Sequence, residues 1–127
     1  MPVINIKSLP VPGNINTSVV LKNLCTGLAD KLGYNPRHIW AYWETIEPGN
    51  YAVGSETSDK VTKNTHSPII RLLAFQGNSE ERIKQMMEIT AEIISRELSI
   101  DIGNIFIEYV EGFSGKIFDG GSVVKSK

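Results

Sequence analysis

From residue 3 to residue 9 the chain alternates, with Val3 and Asn5 set against Ile4 and Ile6, the period of a strand with one buried face. The period then lengthens. Over residues 17–32, Val20, Leu21, Leu24, Cys25, Leu28 and Leu32 recur on one helical face, and Gly33 follows as a stop. The stretch HIWAYWETI is rich in β-branched and aromatic residues and ends at the turn EPGN, which predicts a second strand. Residues 54–67, GSETSDKVTKNTHS, are polar and read as a linker.

The same order then returns. SPIIRLLAF predicts a strand, QGNS a turn, and SEERIKQMMEITAEIISREL a helix with Ile83, Met86, Met87, Ala91, Ile94 and Leu98 on its apolar face. NIFIEYV is the closing strand and GKIFDGG a hairpin-like tail. Pro68 matches Pro2 and Ile105 matches Ile39 at an offset of 66 residues, while Gly121 and Ser122 match Gly54 and Ser55 at 67. This is an internal repeat of a β-α-β unit. The expected organisation is one domain over 1–127, with repeat one at about 2–55, a linker at about 56–67 and repeat two at about 68–122.

The fold class is therefore α+β, an α/β sandwich. Two tandem β-α-β units form a four-stranded mixed sheet with two helices on one face. Two helices cover only that face. Yet PIIRLLAF is apolar at nearly every position, the pattern of a strand buried on both sides. A homo-oligomer packed through its sheets is the expected cover, because the linker is too polar to lie across that face.

Composition narrows the function classes. The chain has 127 residues, 41% of them hydrophobic and 21% charged, and a formal net charge of -1 with the basic residues scattered. Nucleic acid is thus not an expected partner. The single Cys25 gives no intrachain disulfide, and His38 and His66 have no metal-ligand spacing, so neither a metal nor a cofactor is expected. No signal-peptide pattern or membrane-length apolar run occurs, which predicts a cytoplasmic protein without a membrane partner. The NTS triplet at Asn16 is then a chance match to a glycosylation site.

The opening MPVINIK adds chemistry. Removal of Met1 would leave Pro2 with a free secondary amine, a base and nucleophile that Pro68 cannot be. Pro2 at the head of a strand, two β-α-β units, GNSEE entering the second helix and the late GKIFDGG together resemble the tautomerase superfamily. That group includes 4-oxalocrotonate tautomerase, macrophage migration inhibitory factor and malonate semialdehyde decarboxylase. The resemblance covers almost the whole chain, and PRHI and EPGN in the first half look more like the decarboxylase.

The resemblance implies that Pro2 is the catalytic general base or acid, acting on a small enol or 2-oxo compound, in a homotrimer. It also implies arginines that clamp an acidic substrate in a bidentate way. Here those positions before the second helix are Gln76 and Asn78, substrate-binding candidates whose amides can still donate to a carbonyl or carboxylate oxygen, and a further family arginine falls at Phe106 and Trp40. A neutral or monocarboxylate substrate fits this departure better than a dicarboxylate. His38 stands where the decarboxylase branch has a carboxylate, and Arg37 beside it is the nearest cation. Tyr42 is a candidate hydroxyl donor, and Phe118 resembles the apolar wall of the proline pocket.

Each of these residues has a plainer use. Asn78 fits a helix N-cap with Glu81 three residues on, Arg37 and His38 a solvated strand entrance, and Asp119 a turn. Arg71, inside an apolar strand, needs a partner, either in a neighbouring subunit or at Glu108 on the closing strand, and an interface ion pair is expected rather than substrate binding. Two functions follow. One is a tautomerase-like enzyme, with decarboxylase or hydratase-type chemistry as variants; the alternative is a catalytically inactive oligomeric scaffold that keeps the fold.

Overall fold

The structure is a computed structural model and describes residues 2–126, so Met1 and its removal lie outside the described residues. Strand β1 (Val3–Ser8) leads into helix α1 (Thr17–Leu32). Asn16 caps that helix, its side-chain oxygen accepting from the Ser18 N–H, and Gly33 closes it in the left-handed region by donating to the Ala29 carbonyl. A 3₁₀ turn at Pro36–His38 then feeds β2 (Trp40–Thr45), and a short hairpin follows, β3 (Ala52–Val53) with β4 (Glu56–Thr57). The second unit repeats the plan: β5 (Ile69–Phe75), α2 (Glu80–Leu98), a 3₁₀ turn at Ile102–Asn104 and β6 (Phe106–Gly112). A hairpin of β7 (Ile117–Asp119) and β8 (Ser122–Val124) ends it.

The main sheet runs β2-β1-β5-β6. Each unit pairs its two strands in parallel, and the central strands β1 and β5 join the units antiparallel. The repeat extends to single hydrogen bonds. Trp40 N–H donates to the Pro2 carbonyl at 3.0 Å, and Phe106 N–H donates to the Pro68 carbonyl at 3.2 Å.

Both helices pack on one face. Ile4 and Ile6 of β1, Ile70 and Leu72 of β5, Leu24 and Leu28 of α1, and Met86, Ile93 and Ile94 of α2 form the core. Alternation explains which strand residues enter it, since every second side chain points to the helices. The α2 face is rotated from the sequence expectation: Thr90 and Ile93 are buried, while Ile83, Met87 and Ala91 stand at its margin. The Thr90 hydroxyl enters the core because it donates to the Met86 carbonyl one turn back.

The expected linker is also more structured than its polarity implies. Val61 joins the core, and buried His66 bonds the Glu56 carbonyl through Nε2 and Thr65 Oγ1 through Nδ1. Asn104 donates to the carbonyls of Thr62 and Thr65, which pins this segment to the start of β6. Backbone bonds from Val61 to Pro10 and from Asp101 to Lys63 hold it at the end of β1 remote from Pro2. Among the described residues nothing covers the second sheet face. Across it runs an apolar row, Trp40, Val3, Leu73 and Val110, and beside that a polar row, Tyr42, Asn5, Arg71 and Glu108. No helix among the described residues is long and apolar enough to cross a membrane.

Candidate active site

Parallel pairing within each unit and antiparallel pairing between them bring the start of β1, the end of α1, the start of β2, the end of β5 and the start of α2 to one end of the molecule. Pro2 lies there and is fully buried. By alternation it shares the helix-covered side with Ile4 and Ile6.

One hydrogen bond away, Trp40 begins β2. Its exposed indole, with Arg37, His38 and Asp119, lines a cleft of about 360 Å³. The 3₁₀ turn that sets Arg37 and His38 there is built locally: Asn35 caps it by accepting from the Arg37 N–H at 3.0 Å, and Pro36 supplies a preset φ. The indole N–H of Trp40 donates to the Arg37 carbonyl at 3.3 Å, tying the turn to the strand. Asp119 arrives from the far repeat, on the β7–β8 hairpin. Pro2 itself is not among the residues that line this cleft.

The other candidates fall elsewhere. Gln76 is tied to the base of the hairpin, its side-chain oxygen accepting from the Ser114 N–H at 2.8 Å. Asn78 is not the α2 cap. Ser79 takes that role by accepting from the Arg82 N–H, and the Asn78 amide instead donates to the Tyr109 hydroxyl at 2.9 Å. The reason is register: the extended backbone of Ser79 places its hydroxyl over the first turn, which frees Asn78 to face β6. Tyr42 points onto the bare sheet face, in a shallow depression with Asn5, Lys7, Glu44 and Arg71. Phe118 is 72% exposed and alternates with Asp119, so it turns away from the cleft and walls nothing within one chain. Arg71 pairs with Glu108 at 2.9 Å, one of the partners its strand position offered.

Tyr34, Arg82 and Tyr109 escaped the sequence reading, and Asp119 was read only as a turn residue. Tyr34, just past Gly33, lies under the Arg82 guanidinium at 5.0 Å, and Arg82 also donates to the Leu32 carbonyl at 2.7 Å. Burial pushes the Tyr109 phenol above its usual value; Glu111 and Tyr34 add to this, and the Asn78 bond opposes it. Asp119 was the more findable. In the structure the two hairpin turns align 66 residues apart, Gly120 with Gly54, so Asp119 takes the place of Val53, and a charge where its repeat partner is apolar is a signal. Among the described residues no group of three or more His, Cys, Asp or Glu side chains could hold a metal ion.

No family model matches the chain, and no curated protein matches it. Solved structures do. Pt0534 inactivated by 2-oxo-3-pentynoate superposes with a TM-score of 0.81 at 10% identity, over 96% of this chain and 94% of its own. A symmetric trimer of wild-type fused 4-OT gives 0.80 at 11% identity, over 96% and 94%. The macrophage migration inhibitory factor-like protein of Entamoeba histolytica gives 0.70 at 14% identity, over 96% and 97%. At such identities the likeness is one of fold. The chain has the α+β fold of the tautomerase and macrophage migration inhibitory factor structures, two β-α-β units sharing one mixed sheet.

Proposed function

We propose that the chain is a tautomerase-type enzyme in which removal of Met1 frees Pro2 as the general base or acid. The substrate is a small enol or 2-oxo compound, and the enzyme works in the cytoplasm. One observation carries this: Pro2 is buried at the head of a central strand, one hydrogen bond from the cleft that holds Arg37 and His38. Burial disfavours the protonated form of an amine, which is what a proline base needs near neutral pH. In this scheme His38 polarises the substrate oxygen and Arg37 receives an anionic group. Gln76 and Asn78, already bonded to Ser114 and Tyr109 outside the cleft, do not clamp an anion. Decarboxylation, which breaks a carbon–carbon bond to release CO2 and returns a proton to carbon, and hydration, which adds water across a double bond, are alternatives that use the same acid-base group.

Assembly belongs to the same proposal. Tyr42 and Phe106 are about half exposed on the bare sheet face, and a homotrimer closing over them removes that apolar surface from water. The similar fused 4-OT structure is a symmetric trimer.

A second reading has its own support. The family arginines are absent, Gln76 and Asn78 are spent on structural bonds, and the Pro2 ring is shut away from solvent. These favour an inactive scaffold that keeps the fold. Intact mass of the untagged protein, before and after incubation with 2-oxo-3-pentynoate, separates the two. The enzyme reading expects loss of Met1 and addition of one whole reagent molecule, mapped to the Pro2 peptide. A retained Met1, or lysine adducts beside an unlabelled Pro2, leaves the scaffold.

A further inference from the structure

The cleft beside Pro2 holds opposite charges that do not meet. Among the described residues the ion pairs are Lys7 with Glu44, Arg71 with Glu108, Lys84 with Glu88 and Arg96 with Glu97; neither Arg37 nor Asp119 belongs to one. Both line the same space of about 360 Å³, at the small end of ligand cavities. Each comes from a different repeat, Arg37 from the turn before β2 and Asp119 from β7. Trp40 adds an exposed indole to the same lining, and His38 a ring that donates or accepts.

We infer that Asp119 is the specificity residue of this cleft: with Arg37 it selects a monoanion that carries a hydroxyl or other donor at its far end, and it rejects dianions. Arg37 takes the carboxylate through paired N–H donors. Asp119, a pure acceptor when ionised, takes the donor and repels a second carboxylate placed there. The apolar chain between them lies on the Trp40 indole. This rests on the proposed enzyme only for what is done to the ligand, since the charge rule concerns binding alone.

The test reads the Trp40 indole N–H by proton-nitrogen correlation NMR, because that group donates to the Arg37 carbonyl and reports on the turn. Trp43, on the opposite side of β2 with its N–H on Ser8, is the internal control. The probes are matched pairs of one carbon skeleton: glycolate with oxalate, 3-hydroxypropionate with malonate, 4-hydroxybutyrate with succinate, and 5-hydroxypentanoate with glutarate. At the length that fits best, the hydroxy acid is expected to bind about tenfold more tightly than its dicarboxylate. Asp119→Asn should cut that ratio to about threefold or less by tightening the dicarboxylate, a gain that a misfolded variant cannot give. Arg37→Gln should remove the response to both. A dicarboxylate that binds as well as its hydroxy acid, a ratio untouched by Asp119→Asn, or a Trp40 signal that no probe moves would each overturn the inference. Failure of the enzyme proposal looks different: Pro2 stays unlabelled while the Trp40 response still follows the charge rule.

Discussion

The phenol of Tyr109 accepts the Asn78 amide at the edge of the helix-covered face, which shows why Asn78 gives up the cap. Burial of the same phenol makes part of the stability alkaline-sensitive, and the Asn78 bond opposes that shift. Tyr109 titrates above the usual 10.0, mainly through burial, so its contribution is fully present below the unfolded value and is lost as pH rises through the raised folded one. Tyr109→Phe is expected to cost about 0.5–1.5 kcal/mol near neutral pH, from the lost hydrogen bond. It should also flatten the decline above pH 10.0, which urea unfolding across that range measures. Tyr51, raised by burial too, leaves a residual slope. Nothing in NSEE distinguishes Asn78 from Ser79 as the cap, because both accept well and the choice turns on which one β6 engages.

The β7–β8 hairpin owes its tightness to Gly120 and Gly121, at φ 64 and 89, the positive pair a two-residue turn requires. Gly121→Val sets a β-branched side chain there and should cost the hairpin about 1–2 kcal/mol. Faster amide exchange in β7 and β8, with a weaker Trp40 response to the hydroxy acids, is the expected result. At α2 the cap is equally testable. Ser79→Ala should destabilise the protein by about 0.5–2 kcal/mol and speed exchange of the Arg82 amide, whereas Asn78→Ala should leave that amide unchanged.

The bare sheet face governs the molecule as a whole. Arg71 and Glu108 sit on it at 2.9 Å with side chains 64% and 49% exposed, and in a single chain such a pair is worth about 0.2–1 kcal/mol. Closed inside a trimer it loses its water. Arg71→Ala would then strand Glu108 as a buried charge and cost about 3–5 kcal/mol. Sedimentation equilibrium is expected to give three times the chain mass for the wild type and a shift to single chains for Arg71→Ala. An unchanged mass for the variant would place the pair outside any interface.

Periodicity and residue type determined the four strands of the main sheet and both long helices, because a change from period 2 to period 3.6 and back is written in which residues are apolar, and the repeat of that change implied one mixed sheet with its helices on one side; the β3–β4 hairpin and the 3₁₀ turns were not legible in it. That Arg71 needs a partner followed from its place in an apolar strand, and Glu108 was one of the partners it offered. The site did not follow. Whether Arg37 meets Asp119, whether Asn78 caps a helix or bonds a tyrosine, and whether Phe118 faces in or out depend on contacts between residues some thirty to eighty positions apart. Local pattern says which side of an element is buried; only the packing of one repeat against the other decides what each polar side chain finds there.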